Sequence, residues 1–310
     1  MGVLQVKHNY RLRGDHMPDT SKKIKLLEKN IGEASESHPH SRDIIHAFAP
    51  FLLEKASLMG TLDLKDGRAM AMDELQFKNG MSLLQQNEFA PDSDACEIIA
   101  KAILPPLETG FPKLSTDLEK LRAALMEKKI GFADLLVSSH DEAEGSIETW
   151  ALHEDVSIEA VRFVRMMIAR VYFEKTARTL APLIKDSTWE KGYCPICGSA
   201  PMIAKIRDKI GTRHLYCSQC AHEWIFSRVI CPSCGRNKQS SMTYFFVEGN
   251  NSESAFVCEE CGRYLITVDK VSDLVSFDPD LSSLSLVHLD VIMQEKGYSP
   301  MASCAWNSRL

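Results

Sequence analysis

From Ser41 to about Ile184 apolar residues recur at intervals of three and four. Beyond Pro201 the interval shortens to two, so the chain reads as helices followed by strands. Ile44, Ile45, Phe48, Phe51, Leu52 and Leu58 form the first stripe, with Ser41 placed to cap its opening turn. A second helix is predicted over Ser93 to Leu107, where Cys96, Ile99, Ala100 and Ile103 share a face and Cys96 reads as a small core residue. Thr116 and Glu119 have the spacing of a capping box ahead of Leu118, Leu121, Leu125 and Met126. The run Ile130 to Val137 fits either period, and Glu142 to His153 predicts a fourth helix. The longest stripe covers Ser157 to Ile184: Val161, Val164, Ile168, Val171 and Ala177 lie on one face, with Glu159, Arg165, Arg170 and Lys175 elsewhere and Pro182 as the stop. Residues 1–40 are polar and lack a sustained period, which predicts a mobile arm with one short helix near Lys22 to Lys29.

Where the period changes, the cysteines cluster. Eight of the ten form four Cys-x-x-Cys pairs: Cys194/Cys197, Cys217/Cys220, Cys231/Cys234 and Cys258/Cys261. A two-residue spacer lets the backbone wrap one ion and present two thiolates, and two such pairs complete a tetrahedral four-sulfur shell. Between the first two pairs lie strand-like Met202 to Ile206, a turn at Asp208 to Gly211, and His214-Leu215-Tyr216. The same plan returns between the last two pairs as Met242 to Val247, a turn at Glu248 to Asn251, and Ala255-Phe256-Val257. Trp224 to Phe226 follows the second pair as Tyr264 to Ile266 follows the fourth, so the segment reads as a tandem repeat. Sequential pairing then gives Cys194, Cys197, Cys217 and Cys220 to one ion and Cys231, Cys234, Cys258 and Cys261 to the other. An interleaved pairing, first with third and second with fourth, stays open on spacing. Glycine follows three of the four pairs and can take the positive φ that aims backbone N–H groups at sulfur. At the second pair Ala221 takes that place, which predicts a softer first site.

Composition sets the class. The chain has 310 residues, 45% apolar and 25% charged, sufficient for about two globular domains. The boundaries expected are an arm over 1–40, a helical domain over 41–188, metal ribbons over 189–270 and a helical tail over 271–310. The fold class is α+β, an all-helical domain followed by two tandem zinc-ribbon or rubredoxin-like units of short antiparallel strands. Net charge is −6, although residues 191–270 carry ten Lys and Arg against seven Asp and Glu. Eight thiolates and two divalent ions would bring that segment to about −1. A nucleic-acid surface drawn from Arg207, Lys209, Arg213 and Arg228 is therefore not expected. No stretch approaches the roughly 18 apolar residues of a membrane span, and the first twenty residues lack the apolar core of a signal peptide. A cytoplasmic setting and metal thiolates rather than disulfides follow as expectations. The helical half holds no nucleophile–base spacing, phosphate loop or HExxH helix. Four cysteines leave no coordination position for a reacting water, so no enzyme and no catalytic residue is expected. Such shells take zinc or iron alike, and rubredoxin-like electron transfer is the alternative role. Asp278, Asp280, His288 and Asp290 mark a candidate contact patch in the tail.

The segments CPICGSAP (Cys194 to Pro201), RHLYCSQCAHEW (Arg213 to Trp224) and CEECGRYL (Cys258 to Leu265) resemble the formate dehydrogenase accessory protein (FdhE) family. The tail agrees, through Asp280 to Leu284 and Gln294 to Tyr298. The likeness is specific over about residues 189–298 and looser over the helical half. It implies a cytoplasmic, rubredoxin-like metalloprotein, with iron as a candidate metal, that assists maturation of respiratory formate dehydrogenase and contacts its catalytic subunit. It implies no turnover of formate by the chain itself.

Overall fold

The structure is a computed structural model that describes residues 20–64, 70–132, 136, 147–207, 211–247, 249–269 and 277–308. The helical period resolves into α1 (Thr20–Ser37), α2 (Arg42–Thr61), α3 (Glu74–Lys78), α4 (Ser93–Gly110), α5 (Ser115–Met126), α6 (Ile147–His153) and α7 (Ile158–Leu180). α1 is longer than the short helix expected. It buries Leu27 and Ile31 and packs along α2, so this part of the polar amino-terminal stretch belongs to the core. Residues 1–19, the expected turn at 208–210 and most of the apolar run beyond Phe132 lie outside the described residues.

Two caps differ from their sequence reading. Ser41 stands at the N-cap of α2, yet its hydroxyl makes no cap bond and donates instead to the Ser285 carbonyl, 2.8 Å away. α5 starts at Ser115, one residue before Thr116, so the Thr116/Glu119 pair falls inside the first turn and closes no capping box. Ser157 does cap α7, accepting from the Ala160 N–H, and α7 ends at Leu180 before a 3-10 turn that holds Pro182.

α7 is buried on nearly every side, and its charged Arg170 and Glu174 are buried with the apolar residues. The reading that left Arg170 off the packed face missed this, because it counted apolar positions alone.

Seven strands follow among the described residues: β1 (Pro201–Arg207), β2 (Thr212–Cys217), β3 (Glu223–Ile225), β4 (Met242–Val247), β5 (Asn250–Cys258), β6 (Arg263–Val268) and β7 (Ser299–Pro300). Each repeat is a three-stranded antiparallel unit, β1-β2-β3 and β4-β5-β6. They are not separate ribbons. β1 and β6 pair in parallel, Ile203 opposite Ile266 and Ala204 opposite Thr267, which makes one sheet of order β3-β2-β1-β6-β5-β4 with β7 beside β6. No spacing rule shows such a seam, since it depends on which edges meet.

Alternation along the strands sorts the two faces. Ile203, Tyr216, Ala255, Val257, Tyr264 and Ile266 join the core built by the helices and by α8 (Pro279–Ser285) and α9 (Val287–Glu295). Their neighbours Ala204, Leu215, Phe256 and Leu265 turn to the other face and share a second core with cysteines of both sets, Trp224, Phe226 and the end of α7. Trp306 from the tail sets its ring edge-on to Phe48 of α2, 5.8 Å between centroids, so the carboxyl-terminal residues also enter the helical core.

Candidate metal centres

The fold brings the eight paired cysteines into two sets, Cys194, Cys197, Cys217 and Cys220, and Cys231, Cys234, Cys258 and Cys261. In each set the four sulfurs all lie within 4.8 Å of one another. This is the sequential arrangement, and the interleaved alternative is thereby set aside. Sulfur separations are 3.5 Å for Cys194–Cys220, 3.3 Å for Cys197–Cys217, 3.9 Å for Cys231–Cys261 and 3.7 Å for Cys234–Cys258. Metal–sulfur bonds of about 2.3 Å in a tetrahedron place sulfurs about 3.8 Å apart, whereas a disulfide requires about 2.0 Å. All ten cysteines are free, and Cys96 is buried in α4 as expected.

Each pair sits on the same local device. The residue after the second cysteine has positive φ, +80° at Gly198, 55° at Ala221, +71° at Gly235 and +64° at Gly262. Its N–H returns to the carbonyl of the first cysteine, at 2.9, 3.2, 3.0 and 2.9 Å respectively. The closed turn aims further N–H groups at sulfur: Ile196 toward Cys194 at 3.4 Å, and Gln219 toward Cys217 at 3.3 Å. Such donors stabilise thiolate charge. The longest of the four return bonds belongs to Ala221, the position without glycine.

The two sets differ in their surroundings. Around the first, the Pro195 and Ile196 carbonyls accept from the Leu83 and Leu84 N–H groups at 3.0 and 2.9 Å. The Cys217 and Ser218 carbonyls accept from Arg170 at 3.0 and 3.1 Å. Arg170 is itself clamped by Asp280 of α8, and Lys55 of α2 joins Asp280 at 2.7 Å and Glu174 at 2.8 Å. Burial raises the Asp280 carboxyl, but Arg170 and Lys55 outweigh it and hold the group down at about 2. Neither Arg170 nor Lys55 was singled out from the sequence. The available signal was Lys55 itself, a lysine standing in the Phe48, Phe51, Leu52, Leu58 stripe.

The second set has another neighbour. Arg213 of β2, 2% exposed, reaches across the seam and donates to the Ile230 carbonyl at 2.6 Å and to the Ser227 carbonyl, with Phe226 and Phe256 against its guanidinium. Burial pushes this arginine down to about 10.

Other residues named from the sequence fall in less direct places. His214 meets Glu223 at 2.6 Å, and Glu223 also holds Arg207 at 2.8 Å, so the three brace β1, β2 and β3. Trp224 is buried and donates to the Lys191 carbonyl at 3.2 Å. Asp280 and Asp290 are buried, which removes both carboxylates from the contact patch expected in the tail.

Comparison with known proteins agrees with this picture. The family model described as FdhE, central domain, matches residues 193–228, the span of the first four-cysteine set. An FdhE homolog of Aquifex aeolicus is 30% identical over 196 residues, which cover 62% of this chain and 62% of that protein. One from Haemophilus ducreyi is 25% identical over 275 residues, 87% of this chain and 84% of the relative. The crystal structure of the FdhE protein from Pseudomonas aeruginosa shares the fold, with a TM-score of 0.61 at 22% identity over 94% of this chain and 97% of that one. The chain is thus similar to FdhE proteins, through the central motif around its first four-cysteine set and through these relatives, and it shares the fold of the solved FdhE protein.

Proposed function

We propose that this chain is a cytoplasmic accessory protein for respiratory formate dehydrogenase, holding one iron or zinc ion on each four-cysteine set and binding the enzyme's catalytic subunit. The observation that carries the reading is the pair of four-cysteine sets, each with its sulfurs within 4.8 Å of one another, in a chain similar to FdhE proteins. Four thiolates fill the coordination shell, so the ions serve to build a binding surface rather than to activate a substrate. No helix among the described residues is long and apolar enough to cross a membrane.

Anaerobic purification followed by metal analysis should return two ions per chain, and the tagged protein should capture the catalytic subunit of formate dehydrogenase. A deletion that leaves formate oxidation unchanged, together with no captured subunit, sinks the proposal. An electron-transfer role is favoured by one feature, the exposure of Cys234. It requires a visible iron chromophore that reductant bleaches. Binding to nucleic acid finds less support: Arg213 is buried and Arg207 is paired with Glu223.

A further inference from the structure

We infer that the two four-cysteine sets are kinetically unequal, in the reverse of the order that Ala221 leads the sequence to predict: the second is the exchangeable one, opening at Cys234, while the first is locked. The inference rests on the reading that both sets hold metal. Three independent observations carry it.

The first is the exposure of the cysteines. In the first set Cys194, Cys217 and Cys220 are buried and Cys197 is partly covered. In the second, Cys231 and Cys258 are buried, Cys261 is partly covered and Cys234 is exposed. The second observation is what covers the turns. A Cβ on Gly198 would lie 3.3 Å from the Ser82 hydroxyl and 3.5 Å from the Gln85 side chain, so the 82–85 turn sits on the first cysteine turn. A Cβ on Gly235 or Gly262 would meet nothing within 4 Å. The third is anchoring. The first set is gripped by the helical half at both turns, through Leu83 and Leu84 on one side and through Arg170, itself held by Asp280 of the tail, on the other. The Cys258 turn is held from the sheet and tail, by Glu259 N–H to the Ser241 carbonyl and Ser299 N–H to the Gly262 carbonyl, both at 2.9 Å.

Tetrahedral thiolate sites exchange by attack of an incoming ligand, so access to one metal–sulfur bond sets the rate. An external thiol can reach the second ion along the Cys234 side. Its sulfur bonds the metal, the metal–Cys234 bond breaks, and the proton the thiol gives up passes to Cys234. No oxidation state changes. At the first set the same approach requires the 82–85 turn or the Arg170 clamp to open, and local opening of packed structure is rarer than side-chain motion.

The test uses the full-length chain loaded with two zinc ions and a chromophoric chelator in excess, with glutathione as the attacking thiol. Release should be biphasic with equal amplitudes, the fast phase at least tenfold faster than the slow one and accelerated by glutathione. Cys234→Ser should abolish the fast phase and leave the slow ion bound, whereas Cys197→Ser should leave the fast phase intact. Because either variant can misfold, the unmodified chain is also treated with iodoacetamide and mapped by mass spectrometry, where Cys234 should be labelled before the other seven ligands. Two ions leaving at one rate, or first labelling at Cys197, overturn the inference while leaving the metal reading standing. Fewer than two ions on the purified chain overturn the metal reading, and the inference with it.

Discussion

Ala221 occupies a backbone conformation that its three counterparts meet with glycine, at φ 55°. An L side chain there costs about 1–2 kcal/mol, partly offset by the extra freedom glycine loses on folding. Ala221→Gly should therefore stabilise the metal-loaded protein by about 0.5–1 kcal/mol, read as a higher urea midpoint with an unchanged slope. This position was legible in the sequence, because a repeated motif states what each turn requires and one copy departs from it. Arg213 was not. A basic residue in a strand reads as surface, and its burial follows from the seam that carries β2 to the side of the second set. One terminal nitrogen, Nη2, donates to both carbonyls while the guanidinium lies over two rings, and a compact ammonium cannot cover both rings from there. Arg213→Lys should cost about 1–3 kcal/mol in chemical denaturation.

At the scale of elements, α2, α7 and α8 are joined by charges rather than by apolar contact alone. Lys55, Arg170, Glu174 and Asp280 are all 5% exposed or less. Removing one member leaves the others buried and uncompensated, so Asp280→Ala should destabilise by about 3–5 kcal/mol. Calorimetry should also show the Arg170 grip on the Cys217 turn weakening, as earlier loss of the first metal. A second link carries a pH signature. His38, at the end of α1, lies 2.9 Å from Glu253 of β5; this hydrogen bond raises the imidazole above its ordinary 6.5, against the opposing effect of burial. His40 and His288 are close by, and burial lowers His288. A raised histidine contributes stability that is whole below its unfolded value of about 6.5 and lost as pH climbs through the folded one. The stability that the protein holds over a His38→Gln variant should thus shrink from pH 6 toward pH 8, read as melting temperatures of the two chains converging. The helices themselves were readable from apolar period. The ion pairs binding them were not, since period says which face is packed and nothing about a charge that finds its partner inside.

For the whole molecule, the repeat follows from spacing, which left two cysteine pairings open, and the union of the two units does not follow from it at all. Gly192 shows how close that union is. A Cβ there would stand 2.0 Å from the Pro232 carbonyl oxygen and 2.5 Å from the Pro232 Cα, so the chain entering the first cysteine turn lies directly on the third. Gly192→Ala would displace backbone, and a loss of about 1–3 kcal/mol with faster release of the second ion is expected.

The seam between β1 and β6 is also a head-to-tail contact. It pairs the opening strand of one unit with the closing strand of the other, and the edges left over, β3 and β4, are again a closing and an opening strand. A contact of this kind does not close on itself; copied between molecules it would run on as a fibre. β3 has three residues where its counterpart β6 has six, and its Glu223 is held by Arg207 and His214. The shortness of that one strand leaves an incoming opening strand only three residues to pair with.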